Sequence, residues 1–205
     1  MADVKAADVK ALRELTGAGM MDCKAALREA EGDREKAVEI LRVKGQADAA
    51  KRGAQTAAEG VVQSYIHANN QVGVLVEVDC VTDFVARNPE FVVFARDVAL
   101  HVAGSPGTRW VSDEDVPEEE REAELRVLTD RAAQEGGDKP EDVRSKIAEG
   151  RLRKWLDEAV LLRQPHVNAE RYEGRTIEDL RTELVASVGE NIVIRRFARF
   201  AVGEA

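Results

Sequence analysis

Cysteine, histidine and long apolar runs are all scarce in this chain, and each shortage removes a class of function. Only two cysteines occur among 205 residues, Cys23 and Cys80, with no cysteine or histidine at metal-ligand spacing. That pattern fits a reducing compartment and offers neither a disulfide framework nor a zinc site. The histidines His67, His101 and His166 fall in three different predicted elements, so packing or surface roles are expected of them rather than a catalytic set. No apolar run reaches the roughly eighteen residues a spanning helix needs. The start, Met1-Ala2-Asp3-Val4-Lys5, lacks the basic residues and apolar stretch of a secretory leader, so a soluble, cytoplasmic protein is expected with no membrane contact. Phosphate-cradling GxxxxGK[ST], dinucleotide-binding GxGxxG and nucleophile-elbow GxSxG patterns are missing too, which argues against nucleotide binding by the chain itself. An excess of positive charge is also lacking. Asp and Glu outnumber Lys and Arg by 39 to 30, and the net charge of -9 repels phosphate backbones and anionic membrane surfaces, so direct nucleic-acid binding is not expected.

What is present is enough apolar material, 44% of residues, to build one large or two small domains without staples. From Ala6 to about Gly45 three short helices are predicted. Val9 and Leu12 mark the first, Thr16-Gly17-Ala18-Gly19 breaks it, Asp22 caps a second carrying Ala25, Ala26 and Leu27, and Gly32-Asp33 starts a third that Gly45 stops. Met20 and Met21 sit at the turn. One of them can plug the small core, or both can serve as an adaptable contact surface. Gln46 onward is rich in alanine and charge without an apolar stripe. The expected division is therefore residues 1–50 as a three-helix domain, 51–59 as a linker and 60–205 as a core.

Within the core, Val61 to His67 and Val72 to Val81 flank Ala68-Asn69-Asn70-Gln71, the pattern of an antiparallel hairpin. Val72, Val74, Val76, Val78 and Cys80 share one face of the second strand. A helical insertion over about 105–175 follows: an acidic helix from Ser112 to about Gly136, a loop at Gly136-Gly137-Asp138-Lys139-Pro140, then two helices or one kinked helix about Gly150. A last helix begins at Thr176, and Asn191 to Val202 alternates as a third strand. Alternation puts Arg195 and Arg199 on one face and Arg196 on the other, with salt links to the acidic helices as their expected role. The fold class is α+β, a small antiparallel sheet packed with helices and joined to the N-terminal helices.

Between the second strand and the next helix lies Val81-Thr82-Asp83-Phe84-Val85-Ala86-Arg87-Asn88. Thr82 suits an N-cap, Asp83 suits a first turn, and Asn88-Pro89 restarts a longer helix with Phe91, Ala95, Val98 and Val102 inside. Two orientations are open to Phe84 on such a junction, down onto its own core or outward. Glu77, Asp79 and Asp83 could also form an acid/base pair or take a hard cation, Asp79 and Asp83 being the pair a metal-dependent hydrolase would use, although no surrounding pocket is legible.

The stretch Leu12-Arg13-Glu14-Leu15-Thr16-Gly17-Ala18-Gly19-Met20-Met21-Asp22-Cys23-Lys24-Ala25-Ala26-Leu27 resembles the N-terminal domain of the elongation factor Ts family, and Glu77 to Asn88 resembles that family's second signature. Ile147-Ala148-Glu149-Gly150-Arg151-Leu152 and Gly189 to Phe197 extend the similarity through nearly the whole chain. The resemblance implies a ubiquitin-associated-like N-terminal domain, and guanine-nucleotide exchange on elongation factor Tu, with no cofactor, metal or catalytic group of its own. It implies that Asp83 and Phe84 enter the partner's nucleotide domain and disturb its Mg2+ site, with Thr82 and Val85 setting the junction. It further implies that Arg13, Met20, Met21 and Lys24 grip a second place on that partner. A single sheet-and-helix core resembles short members that work as homodimers. The last strand carries Ala198 and no cysteine, so a disulfide-linked dimer through it is excluded. A scaffold that holds a partner through the Met20-Met21 turn without exchange remains the rival expectation.

Overall fold

A computed structural model describes residues 4–16, 18–136 and 140–204. Three helices come first: α1 (Ala6–Thr16), α2 (Met20–Glu29) and α3 (Arg34–Arg52). Val9 and Leu12 of α1 pack with Cys23, Ala26 and Leu27 of α2 and Ala37 and Leu41 of α3, the helical spacing bringing each set to one stripe. Asp33 caps α3, its carboxylate accepting from the N–H groups of Glu35 (3.0 Å) and Lys36 (3.1 Å).

Two expectations need correcting here. Asp22 does not cap α2. The N-cap is Gly19, with no side-chain bond, and Asp22 lies in the first turn, where Lys44 pairs with it at 2.5 Å. Nor does Gly45 stop α3, which runs on to Arg52. A mid-helix glycine costs only about 1 kcal/mol against alanine. Here the alanines after it favour helix, and a Cβ on Gly45 would meet the Thr182 methyl at 3.7 Å, so α3 passes close to the last helix. Lys51 and Arg52, expected in a linker, are therefore helical. The break in the pattern at Gly17 lies outside the described residues, as do Gly137, Asp138 and Lys139 of the predicted loop.

Strands β1 (Glu59–Ile66) and β2 (Val72–Cys80) form the predicted hairpin, and β3 (Val193–Ala201) adds to the far side of β2, giving the antiparallel order β1-β2-β3. On one face Val74, Val76, Val78 and Cys80 are buried, as are Phe91, Ala95, Val98 and Ala99 on the helix that follows. The opposite face is open. Val62, Ile66, Leu75 and Phe200 are exposed, with Ile66, Gly73 and Phe200 in one cross-strand row and Ser64, Leu75 and Ala198 in the next.

The strict alternation expected of β3 fails at one point. A bulge opposite Glu77 and Val78 places Arg195 and Arg196 both outward. Arg195 pairs with Asp79 at 2.7 Å and Arg196 with Glu77 at 2.6 Å, while Arg199 reaches Glu204. The arginines of the last strand thus bind carboxylates of the sheet and of their own tail, not the acidic helices.

Contacts divide the chain into two compact units: residues up to Leu100 together with those from Glu178, and His101–Ile177. The first holds the three helices, the sheet, α4 (Asp83–Ala86), most of α5 (Pro89–Gly104) and α9 (Ile177–Val188). In the second, α6 (Glu118–Gly136) and α7 (Glu141–Ala159) pack through Leu128, Ala132 and Ala148, and the short α8 (Ala169–Tyr172) follows. The stretch around Gly150, expected as two helices or one kinked helix, is a single helix, α7. The acidic helix starts later than expected. Asp115 draws the Ser112 N–H and hydroxyl to one carboxylate oxygen, both at 2.9 Å, and closes a separate 3-10 turn ahead of it.

Candidate functional site: the β2–α5 junction

The last buried residue of β2 is Cys80, and the chain then turns into α4, a helix of four residues. Thr82 is its N-cap, as the sequence suggested, but the capping bond from Val85 N–H to Thr82 Oγ1 is long, at 3.5 Å. Two backbone bonds close the turn, Ala86 N–H to Thr82 O and Arg87 N–H to Asp83 O, both at 3.2 Å. Asn88 then restarts the helix, its side-chain oxygen accepting from Glu90 N–H at 2.9 Å ahead of Pro89. Proline suits that first position, having no N–H to leave unpaired.

Stronger bonds reach the junction from the segment before β3. The carboxylate of Glu190 accepts from Val81 N–H (3.1 Å), Thr82 N–H (3.0 Å) and the Thr82 hydroxyl (2.6 Å). The Cys80 thiol donates to Thr82 O at 3.2 Å. Burial, reinforced by the negative charges of Glu190 and Glu59, pushes that thiol up to about 11, so it stays protonated and available as a donor. Every polar group of Thr82 is thereby engaged.

The consequence for the neighbouring side chains is a division of labour. Val85 is buried and anchors α4, which lies against β1 and β2. Phe84 is 80% exposed, the most exposed large apolar side chain among the described residues. Of the two orientations open to it, the outward one is found. Asp83 is half-exposed and pairs with Arg87 at 3.1 Å, and Asp79 is held by Arg195. Two carboxylates each matched to an arginine do not make an acid/base pair sharing a proton. No group of three or more potential ligands that could hold a metal ion occurs among the described residues.

The second set of sequence-selected residues lies on α1 and α2. Arg13 is exposed, Met20 and Met21 are 58% and 74% exposed, and Lys24 is half-buried one turn beyond Met20. Neither methionine belongs to the core of the three helices. Leu15 and Val43 are exposed as well, two apolar side chains that the sequence pattern did not single out.

Comparison with known proteins identifies the family. The family described as Elongation factor TS matches residues 4–172. This chain belongs to the elongation factor Ts family. An elongation factor Ts from Carboxydothermus hydrogenoformans is 53% identical over 196 residues, covering 96% of this chain and 88% of that protein. Those of Caldanaerobacter subterraneus subsp. tengcongensis and Moorella thermoacetica are 51% and 52% identical over 201 residues, covering 98% of this chain and 98% and 96% of theirs. The chain is a translation elongation factor by that membership.

Histidines play no part at the junction. His67 is exposed and bonds Tyr65 Oη at 3.0 Å. His101 and His166, from different predicted elements, come together in the second unit with ring centroids 5.4 Å apart. His101 Nδ1 accepts from Val167 N–H (3.1 Å), so its proton is on Nε2, facing Gln164 Oε1 at 2.7 Å. Burial pushes this histidine down to about 4, with Gln164 opposing and His166 reinforcing the shift. It is a neutral core hydrogen-bonding residue. No described helix is long and apolar enough to cross a membrane.

Proposed function

We propose that this protein is a guanine-nucleotide exchange factor for elongation factor Tu. It binds the GDP-bound GTPase, disturbs the partner's Mg2+ site and promotes GDP release. The observation that carries this reading is an aromatic ring 80% exposed on a turn whose capping residue has every polar group bonded. An apolar ring kept in water is a cost the fold accepts on a stiff support, and such a ring suits insertion into another protein. Asp83 beside it supplies a negative charge, and Thr82 and Val85 fix the geometry. Arg13, Met20, Met21 and Lys24 of a ubiquitin-associated-like N-terminal domain would grip the partner elsewhere, the methionines as adaptable contacts.

The thermodynamics need no catalytic group. A factor that binds the nucleotide-free GTPase more tightly than the GDP form weakens GDP by the same factor. The ion beside a diphosphate is a large local charge, so disturbing its site is an effective way to generate that coupling. Work at this step places the protein in the cytoplasm. A homodimer through the core is supported by the open sheet face, where Val62, Ile66, Leu75 and Phe200 form an apolar surface that a second copy could match. Leu75→Glu is expected to shift the mass measured by sedimentation toward the monomer, and a monomeric wild type would remove the dimer from this reading.

Release of fluorescent GDP from elongation factor Tu, followed by stopped flow, tests the whole proposal. Wild type should accelerate release and Phe84→Ala should abolish most of that acceleration while remaining folded. A factor that binds the GTPase but leaves release at its intrinsic rate would be a scaffold instead.

A further inference from the structure

The turn that presents Phe84 has little strength of its own. Its helix is four residues long, its capping bond spans 3.5 Å and its ion pair, Asp83 with Arg87, lies largely in solvent. The short, charge-assisted bonds all come from Glu190, 108 residues away from Thr82. We propose that Glu190 is a positioning residue for nucleotide exchange, holding the β2–α4 turn so that Phe84 is already in place when the GTPase arrives. This rests on the exchange reading of the same site.

An ionised carboxylate only accepts, and here three donors converge on it. A glutamine in its place has one oxygen: set toward the two backbone amides it keeps both, but its NH2 then faces the Thr82 hydroxyl, which must turn to accept, so the charge-assisted bond from that hydroxyl is lost. Glu190 is itself held on both sides. Gly189 takes a φ of +80°, open to glycine at little cost, and its N–H closes α9 onto Val185 O at 3.0 Å. Asn191 is tied to Gln55, its side-chain amide donating to the backbone oxygen at 2.9 Å and its N–H to the side chain at 3.3 Å. The carboxylate thus reaches the turn from a fixed base, and the ordering cost falls before the partner binds.

The test is GDP release from elongation factor Tu by the full chain, as wild type, Glu190→Gln, Phe84→Ala and the double variant, over a range of factor concentrations. Glu190→Gln is expected to lower the maximal release rate by about tenfold, as a displaced reacting group does, while the half-saturating concentration moves by less than about twofold. In the Phe84→Ala background the same change should cost no more than about twofold, because the ring it positions is gone. A wild-type maximal rate for folded Glu190→Gln overturns the proposal, as does an undiminished loss in the double variant. Silence of Phe84→Ala instead sinks the exchange reading and this proposal with it, so the silent single variant tells the two failures apart. Should Glu190→Gln fail to fold, Thr82→Val removes the hydroxyl that gives its proton to Glu190. It must then show the same split between rate and half-saturation, and a shift in half-saturation alone overturns the proposal.

Discussion

Of the regions that show large apolar side chains to water, the β2–α4 junction and the first three helices are built in opposite ways. At the β2–α4 junction a single ring stands on a turn fixed by Glu190, Cys80 and Asn88. On the first three helices four flexible or branched chains, Leu15, Met20, Met21 and Val43, are exposed, and the N-terminus of α2 has no side-chain cap. Phenylalanine has two side-chain torsions and one shape, whereas methionine has three and adapts. A surface meant to displace something benefits from fixed placement, and one meant to hold a partner tolerates repacking. Under the exchange proposal, the difference between the regions becomes one between rate and affinity.

The largest expected effect breaks that comparison most directly. Phe84→Ala should lower maximal GDP release by roughly thirtyfold or more, the scale of a hot-spot residue. Its own thermal unfolding should barely move, since an exposed side chain away from the core contributes within about 0.5 kcal/mol. Equal losses of rate and stability would mean the ring supports its own fold.

A second effect concerns a polar cluster with no surface role, which sharpens the contrast with the junction. His101 titrates lower in the folded chain, about 4, than in the unfolded one, so only the unfolded state takes up its proton between those values. Stability should be level above pH 6.5 or so and fall as acid is added, by on the order of 2 kcal/mol near pH 4.5. Protection of the Val167 amide against hydrogen exchange would report it, and a His101→Gln variant should lose much of that slope. A smaller change is expected from Met20→Ala with Met21→Ala. The concentration for half-maximal exchange should rise about fivefold at an unchanged maximal rate. A fall in the plateau would erase the distinction between grip and wedge. Smallest of all, Arg87→Ala should alter release by less than about twofold, because an exposed ion pair contributes at most about 1 kcal/mol.

Much of the candidate site could be seen in the residues themselves. Thr82 as a cap, the restart at Asn88-Pro89 and the buried stripe of α5 follow from local rules, because each involves groups within a few positions of one another. The direction of Phe84 did not follow. Strand-to-helix junctions permit either orientation, and only the burial of Val85 beside it settled the matter. Glu190 escaped altogether, since no local pattern marks a carboxylate as the partner of amides a hundred positions earlier. The bulge in β3 was missed for the same reason, as it is defined by pairing with β2.

The sequence by itself determined most of the elements and the family, since periodicity, capping residues and motifs act over short spans. Tertiary structure alone decided which side chain holds the junction, which way the ring faces, how the arginines of the last strand are paired and that two distant histidines meet. Those outcomes depend on contacts between segments far apart in the chain, whose energies no local pattern of residues encodes.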